Sequence, residues 1–302
     1  MKKIIMLTLI LITNLSCSQK NNNQNMTDFS LNTLYKKLEI YNERPEYWLF
    51  LHSNNCSYVV TLDDMPIYED YDEGSMKSLS IPINNFILES GKHELKILIL
   101  PTINENYHLN NLLSSDYTLN IKINRTENKK ETIVFNKKLS NDEQNKTFKQ
   151  NIIPFEAEVP YRLTGWSNSI DLTKQDRESL EKEVVNFYKE IMDDYKNKKT
   201  ESIEKKYYNR QFENAQSLYS YKKEDSDKLI SEINKDVNKE QDLKLENYKL
   251  VFYGNGKVVG LIRTDGEFFG ESAFLGLTDE DFYVYSLLLH RPKAGGSLEV
   301  IR

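Results

Sequence analysis

The stretch Pro160-Tyr-Arg-Leu-Thr-Gly-Trp-Ser-Asn-Ser-Ile-Asp-Leu-Thr173 holds a proline, a glycine and short polar residues, and no hydrophobic period runs through it. The chain on its two sides carries two different periods. Upstream, apolar residues recur every second position; downstream, they recur at helical spacing. Residues 160–173 are therefore read as a linker between a domain of residues 29–159 and a domain of residues 174–302. The expected fold class is α+β in two domains: an N-terminal antiparallel β-sandwich, then three helices followed by an antiparallel sheet.

Upstream of the linker, Tyr117-Thr-Leu-Asn-Ile-Lys-Ile123 alternates without error, as a half-buried strand does. Leu95, Ile97 and Ile99 alternate as well, with Leu98 and Leu100 filling the opposite face, so this strand is expected to be buried on both sides. Further strands are expected at Tyr47 to His52, Cys56 to Leu62, Glu131 to Leu139 and Ile152 to Val159. Short strands at this spacing, separated by polar turns, indicate a sandwich. Ile81 to Pro101 resembles the turn-and-strand element of jelly-roll and galactose-binding-like accessory domains.

Downstream, Leu180, Val184, Phe187, Tyr188, Ile191 and Tyr195 fall on one helical face, and Thr173 followed by Asp176 resembles a capping box. A second helix is expected from Glu201 to Tyr219, with Ile203, Tyr207, Ala215 and Leu218 inward. A third is expected from Asp225 to Val237, with Leu229, Ile230, Ile233 and Val237 inward. Asn255-Gly256, which supplies the positive φ angles of a type I′ turn, joins strands at Tyr248 to Tyr253 and Lys257 to Arg263. Strands at Ser272 to Leu277, Phe282 to His290 and Leu298 to Ile301 complete the pattern. This element order resembles the NTF2-like or cystatin-like cone fold, in which a curved sheet wraps a long helix.

The first residues give an address. Lys2 and Lys3 precede an apolar run from Ile4 to Ile12, the layout of a secretory signal peptide and too short to span a bilayer, which needs about 20 apolar residues. Asn14-Leu15-Ser16-Cys17 resembles the bacterial lipobox, although Asn14 stands where leucine is usual. The resemblance implies a signal peptide of residues 1–16, acylation of Cys17 and anchoring of the protein to a lipid bilayer in the bacterial cell envelope. Residues 17–28 then read as a lipidated tether, polar throughout Ser18 to Asn25. Ser18, standing where aspartate would retain such a protein in the inner membrane, points to the outer membrane.

Composition narrows the partners. The formal net charge of −6 becomes −8 once Lys2 and Lys3 are removed, which argues against nucleic acid and suits a basic protein partner. With Cys17 acylated, Cys56 is the only remaining thiol, so an internal disulfide and a cysteine metal site are both excluded. His52, His93, His108 and His290 lack any second ligand at metal-binding spacing, and no phosphate loop, nucleophile elbow or dinucleotide fingerprint occurs. No cofactor is implied.

The expectation that follows is a non-enzymatic, membrane-anchored protein-binding module, with an immunity protein against a secreted toxin as one form. The alternative is a glycan-binding accessory lipoprotein using Tyr47-Trp48 or Trp166 as stacking platforms. The third reading is a small-pocket enzyme of the cone fold, in which His290 works with Glu267 or Asp265. Its pocket candidates are His290, Glu267 and Trp166. Bland readings compete with each: core packing for the aromatics, a strand edge for His290, and solvated turns for Asp63-Asp64, Asp193-Asp194 and Asp279-Glu280-Asp281.

Overall fold

The computed structural model describes residues 29–141 and 145–302; the expected signal peptide, Cys17 and the tether lie outside them. The described chain is a mixed α+β structure with four antiparallel sheets, rich in strands at first, then helical, then stranded again.

The first half holds β1 (Glu46–Asn54), β2 (Ser57–Leu62), β3 (Met65–Asp70), β4 (Lys77–Pro82), β5 (Gly91–Leu100), β6 (Thr118–Glu127), β7 (Lys130–Ser140) and β8 (Lys149–Ala157). They form two four-stranded sheets, ordered β4-β1-β6-β7 and β3-β2-β5-β8. Alternation does the work the sequence suggests. Leu49 and Leu51, Leu119, Ile121 and Ile123, Val60 and Leu62, and Leu95, Ile97 and Ile99 all point into one core shared by both sheets. Each such side chain contributes about 1.5–3 kcal/mol by leaving water. One expectation is corrected: β5 is fully buried on one face only, because Lys96, Leu98 and Leu100 on the other are half-exposed. Two strands, β3 and β4, are additions to the strands expected.

The second half opens with α1 (Arg177–Lys196), α2 (Thr200–Ser217) and α3 (Lys223–Asn238). The α1 stripe is inward as expected, with Phe187 half-buried. Its cap differs from the expected box: Asp176 is the N-cap and accepts a bond from the Ser179 amide, while Thr173 belongs to a short 3-10 turn capped by Asp171. Leu218, expected inward, is 41% exposed because α2 ends before it. On α3 only Val237 of the expected stripe is fully buried; Leu229, Ile230 and Ile233 are half-covered by Leu31, Leu34 and Leu38, so residues 29–38 pack on the helices rather than on the sheets.

The remaining strands are β9 (Asp242–Leu245), β10 (Tyr248–Tyr253), β11 (Val258–Arg263), β12 (Phe274–Leu277), β13 (Phe282–Val284), β14 (Leu288–His290) and β15 (Glu299–Ile301). They make one sheet ordered β10-β11-β14-β15 and one ordered β13-β12-β9. The single strand expected from Phe282 to His290 is thus two, one in each sheet. The expected two-residue turn at Asn255-Gly256 is instead a four-residue loop with Gly254, Asn255 and Gly256 all at positive φ. Packing explains it: a Cβ on Gly254 would lie 2.9 Å from Trp166 and 3.2 Å from Met65. Tyr188, fully buried on α1, donates to the Leu287 carbonyl and accepts from the Leu261 amide at 3.0 Å, tying the helix to both strand segments it faces.

Residues 160–173 do not hang free. Tyr161, Leu163, Trp166 and Leu172 are buried, the Leu163 amide bonds to Leu88 O at 2.8 Å and the Ile170 amide to Arg291 O at 3.1 Å. Asp63 and Asp64 form the β2–β3 turn at positive φ, and Asp64 accepts bonds from the Gly254 amide (3.0 Å) and the Asn255 amide (2.9 Å). The two stranded regions therefore meet along a seam built from Met65, Trp166, Val258 and Ile301.

Candidate functional site

A cleft of about 340 Å³ opens along this seam, between β2–β3 on one side and β11 to β14 on the other, with α2 and the Asn84–Phe86 turn beneath. Ile67, Phe86, Tyr253 and Leu288 give it apolar walls. Glu69 and Glu271 stand toward β3 and β12. Burial, followed by the like charge of Glu271, pushes the Glu69 carboxyl up to about 8, opposed by Lys249. Burial and then Asp70 raise Glu271 in turn. No hydrogen bond or ion pair reaches either carboxylate from the described residues.

The cleft also reaches two arginines. Arg210 of α2 donates from Nη1 to Ser286 O at 2.9 Å, has no carboxylate at ion-pair distance among the described residues, and is held below the usual guanidinium range by burial. Arg302, 4% exposed, is drawn inward by buried Val300 and Ile301. It pairs with Glu213 at 2.7 Å, bonds to the Asn85 carbonyl and lies 5.3 Å from the Trp166 ring. Its affinity for its proton is lowered by burial despite Glu213, and Arg210 lowers it further. Arg302 Nη2, Arg210 Nε, Asn85 Oδ1 and Asn214 Oδ1 have no hydrogen-bond partner among the described residues.

The residues expected from the sequence fall elsewhere. His290, on β14 between β11 and β15, is buried rather than at a surface edge; its Nδ1 meets Ser169 Oγ at 2.7 Å, and burial, then Arg302, brings its pKa down to about 4. Glu267 is exposed in the loop after β11, and Asp265 pairs with Arg263 at 3.1 Å, so neither acid is joined to His290. Trp166 is 5% exposed beneath Arg302 and is no open stacking platform. Asp194 is held by Lys206 at 2.6 Å and Ser202 at 2.7 Å, while Asp279, Glu280 and Asp281 occupy an exposed turn. Cys56 is buried, its thiol pushed up to about 12 by burial. Among the described residues no cluster of His, Cys, Asp and Glu is arranged for a metal ion, and no helix is long and apolar enough to cross a membrane.

Two surface features accompany the cleft. Phe282 is 54% exposed and meets the half-buried Phe268 edge-on, with centroids 4.8 Å apart; in the chain the exposed Glu267 precedes Phe268 and the exposed Asp279 to Asp281 precede Phe282. On the outer face of the first sheet, Trp48, Phe50 and His52 form a half-exposed row along β1. Phe50 and His52 line a groove of about 630 Å³ with Asn120, Lys122 and Asn136. No family model, curated protein or solved structure matches the chain.

Proposed function

We propose that the chain is a lipid-anchored, non-enzymatic binding protein of the bacterial envelope whose partner is a basic protein, in the manner of an immunity protein that masks a toxin. The observation that carries this reading is the Phe268–Phe282 pair with its carboxylates. An exposed aromatic anchor with exposed acids next to it in the chain suits a complementary, basic surface, the ring supplying affinity and the acids steering encounter. Anchoring through Cys17 and the outer membrane as its site belong to the same proposal, as does a two-domain division in which the helical half is an NTF2-like or cystatin-like cone beside a β-sandwich.

A photo-crosslinking residue placed at Phe282 of the full chain, in the cells that make it, tests the reading. One basic protein should be captured in the membrane fraction, with the adduct moving to the soluble fraction in Cys17→Ser. Phe282→Ser should weaken the isolated complex by about 30-fold, roughly 2 kcal/mol. Capture of the same proteins from position Leu112, exposed in the loop between β5 and β6, would overturn it.

The row of Trp48, Phe50 and His52 favours a second reading, a glycan-binding face, since aromatic rings beside amide side chains suit sugar rings. Tryptophan fluorescence should shift on titration with oligosaccharides and lose that shift in Trp48→Phe. An unchanged signal across a broad oligosaccharide panel removes this reading.

A further inference from the structure

We propose that the seam cleft binds a free amino acid or a short peptide as a zwitterion, its carboxylate held by Arg210 and Arg302 and its ammonium by Glu69 and Glu271. This goes beyond the partner-binding surface at Phe282 and does not depend on it.

The cleft holds polar groups that the described residues leave without partners, although Arg302 also pairs with Glu213. Arg210 is half-buried, with the Ser286 carbonyl and the Tyr207 ring, 5.5 Å from its guanidinium, as its neutral partners and Nε unsatisfied, and Arg302 leaves Nη2 unsatisfied although almost wholly buried. Glu69 and Glu271 both line the cleft with no hydrogen bond or ion pair from the described residues, and burial with their mutual repulsion favours the protonated carboxyl until a cation arrives to draw the proton off. A poorly solvated guanidinium without a counter-ion is costly, and a carboxyl close to a like charge keeps its proton rather than ionise. The arginines and these two glutamates do not relieve one another, since no ion pair joins them among the described residues. A simple anion would satisfy the arginines and leave the glutamates as they are; a simple cation would do the reverse. A molecule with a carboxylate at one end and an ammonium at the other satisfies both.

Two further features select a peptide over another zwitterion. Asn85 Oδ1 and Asn214 Oδ1, unpaired and on the same wall as the arginines, accept hydrogen bonds and so call for a donor, which a peptide N–H supplies. The walls of Ile67, Phe86 and Leu288 suit small apolar side chains. A volume of about 340 Å³ is at the small end of ligand pockets, which limits the ligand to roughly one to three residues.

The test is calorimetric titration of the full chain, in detergent, with alanine, dialanine and trialanine, and with two blocked dipeptides: N-acetyl-dialanine and dialanine amide. At least one of the three unblocked compounds should bind with a Kd below about 10 mM, and each blocked form should bind at least about tenfold more weakly. The partner variants separate the two ends. Glu69→Gln with Glu271→Gln should abolish the preference for the free ammonium but keep that for the free carboxylate, and Arg210→Met should do the opposite. Arg210→Met should also raise the melting midpoint of the unliganded protein by a few degrees, because it removes a half-buried charge that has no counter-ion among the described residues; a merely structural arginine would lower it. No binding by any unblocked compound at about 10 mM, or equal binding of blocked and unblocked dipeptides, overturns the proposal.

Discussion

Arg302→Ala should lower the free energy of unfolding by about 3 kcal/mol, seen as a lower urea midpoint with the slope unchanged. The substitution removes the 2.7 Å ion pair to Glu213, the bond to the Asn85 carbonyl and the guanidinium face over Trp166. Glu213, 15% exposed, would keep only its 2.8 Å bond from the Gly165 amide and carry a largely uncompensated charge. Relief from Arg210 and from the unpaired Nη2 offsets part of the loss, which places the effect at the low end of the 3–5 kcal/mol typical of broken buried pairs. Arg302→Lys should recover less than half, since an ammonium can neither fork between Glu213 and Asn85 nor stack on the indole. A loss below about 1 kcal/mol for the alanine variant would show that the seam does not depend on this side chain.

Glu69→Gln should act in the other direction and stabilise the protein at pH 8. The folded carboxyl titrates near 8, against an ordinary value of 4.5, so the folded state holds its proton where the unfolded state has lost it. Stability is then fully present below about 4.5 and is lost as pH rises toward 8. The full shift would be worth about 4–5 kcal/mol, and water in the cleft reduces the expected gain to about 2 kcal/mol. At pH 4 the gain should vanish. His290 has the opposite slope: its folded pKa near 4 lies below the ordinary 6.5, so stability falls as pH drops from 6.5 toward 4. Between about 4.5 and 6.5 these two slopes oppose and cancel each other, and above that range the Glu69 decline is unopposed. In Glu69→Gln the decline on the alkaline side should become markedly shallower, what remains coming from Glu271 and His93, whose affinity for the proton is also raised by folding. Melting midpoints measured from pH 4 to 9 decide it; an unchanged alkaline limb would place the strain elsewhere.

The legible parts of the fold are those in which one element carries its own pattern. Tyr117 to Ile123 and the α1 stripe each declare which face is inward, and those faces are buried. Strands β3 and β4 escaped because Met65-Pro66-Ile67 interrupts a strand with proline and Lys77–Pro82 is short, half polar and nowhere fully buried; both lie at sheet edges, where burial imposes little pattern. Phe282 to His290 carries aromatic and aliphatic residues on both sides of a single serine, Ser286, which is exposed in the gap between the two strands and too slight a signal to mark the change of sheet. The cleft was not legible at all. Glu69, Arg210, Glu271 and Arg302 come from four distant elements, and no spacing connects them. His290, the residue with the sharpest chemical reading, is instead a neutral imidazole bonded to Ser169.

The interlock of Asp64 with the Gly254–Gly256 loop sets an order of assembly. Each turn closes a hairpin by local contacts, yet the bond between Asp64 and Asn255 spans 191 positions. Contacts of that separation form slowly, because a long loop must close before they return any energy. The two sheets on either side therefore take shape first, and the cleft comes into being only when their turns engage. Substitutions along the seam should speed unfolding while leaving the folding rate nearly untouched, and a molecule held in the cleft should act as a kinetic clasp that keeps the halves from separating.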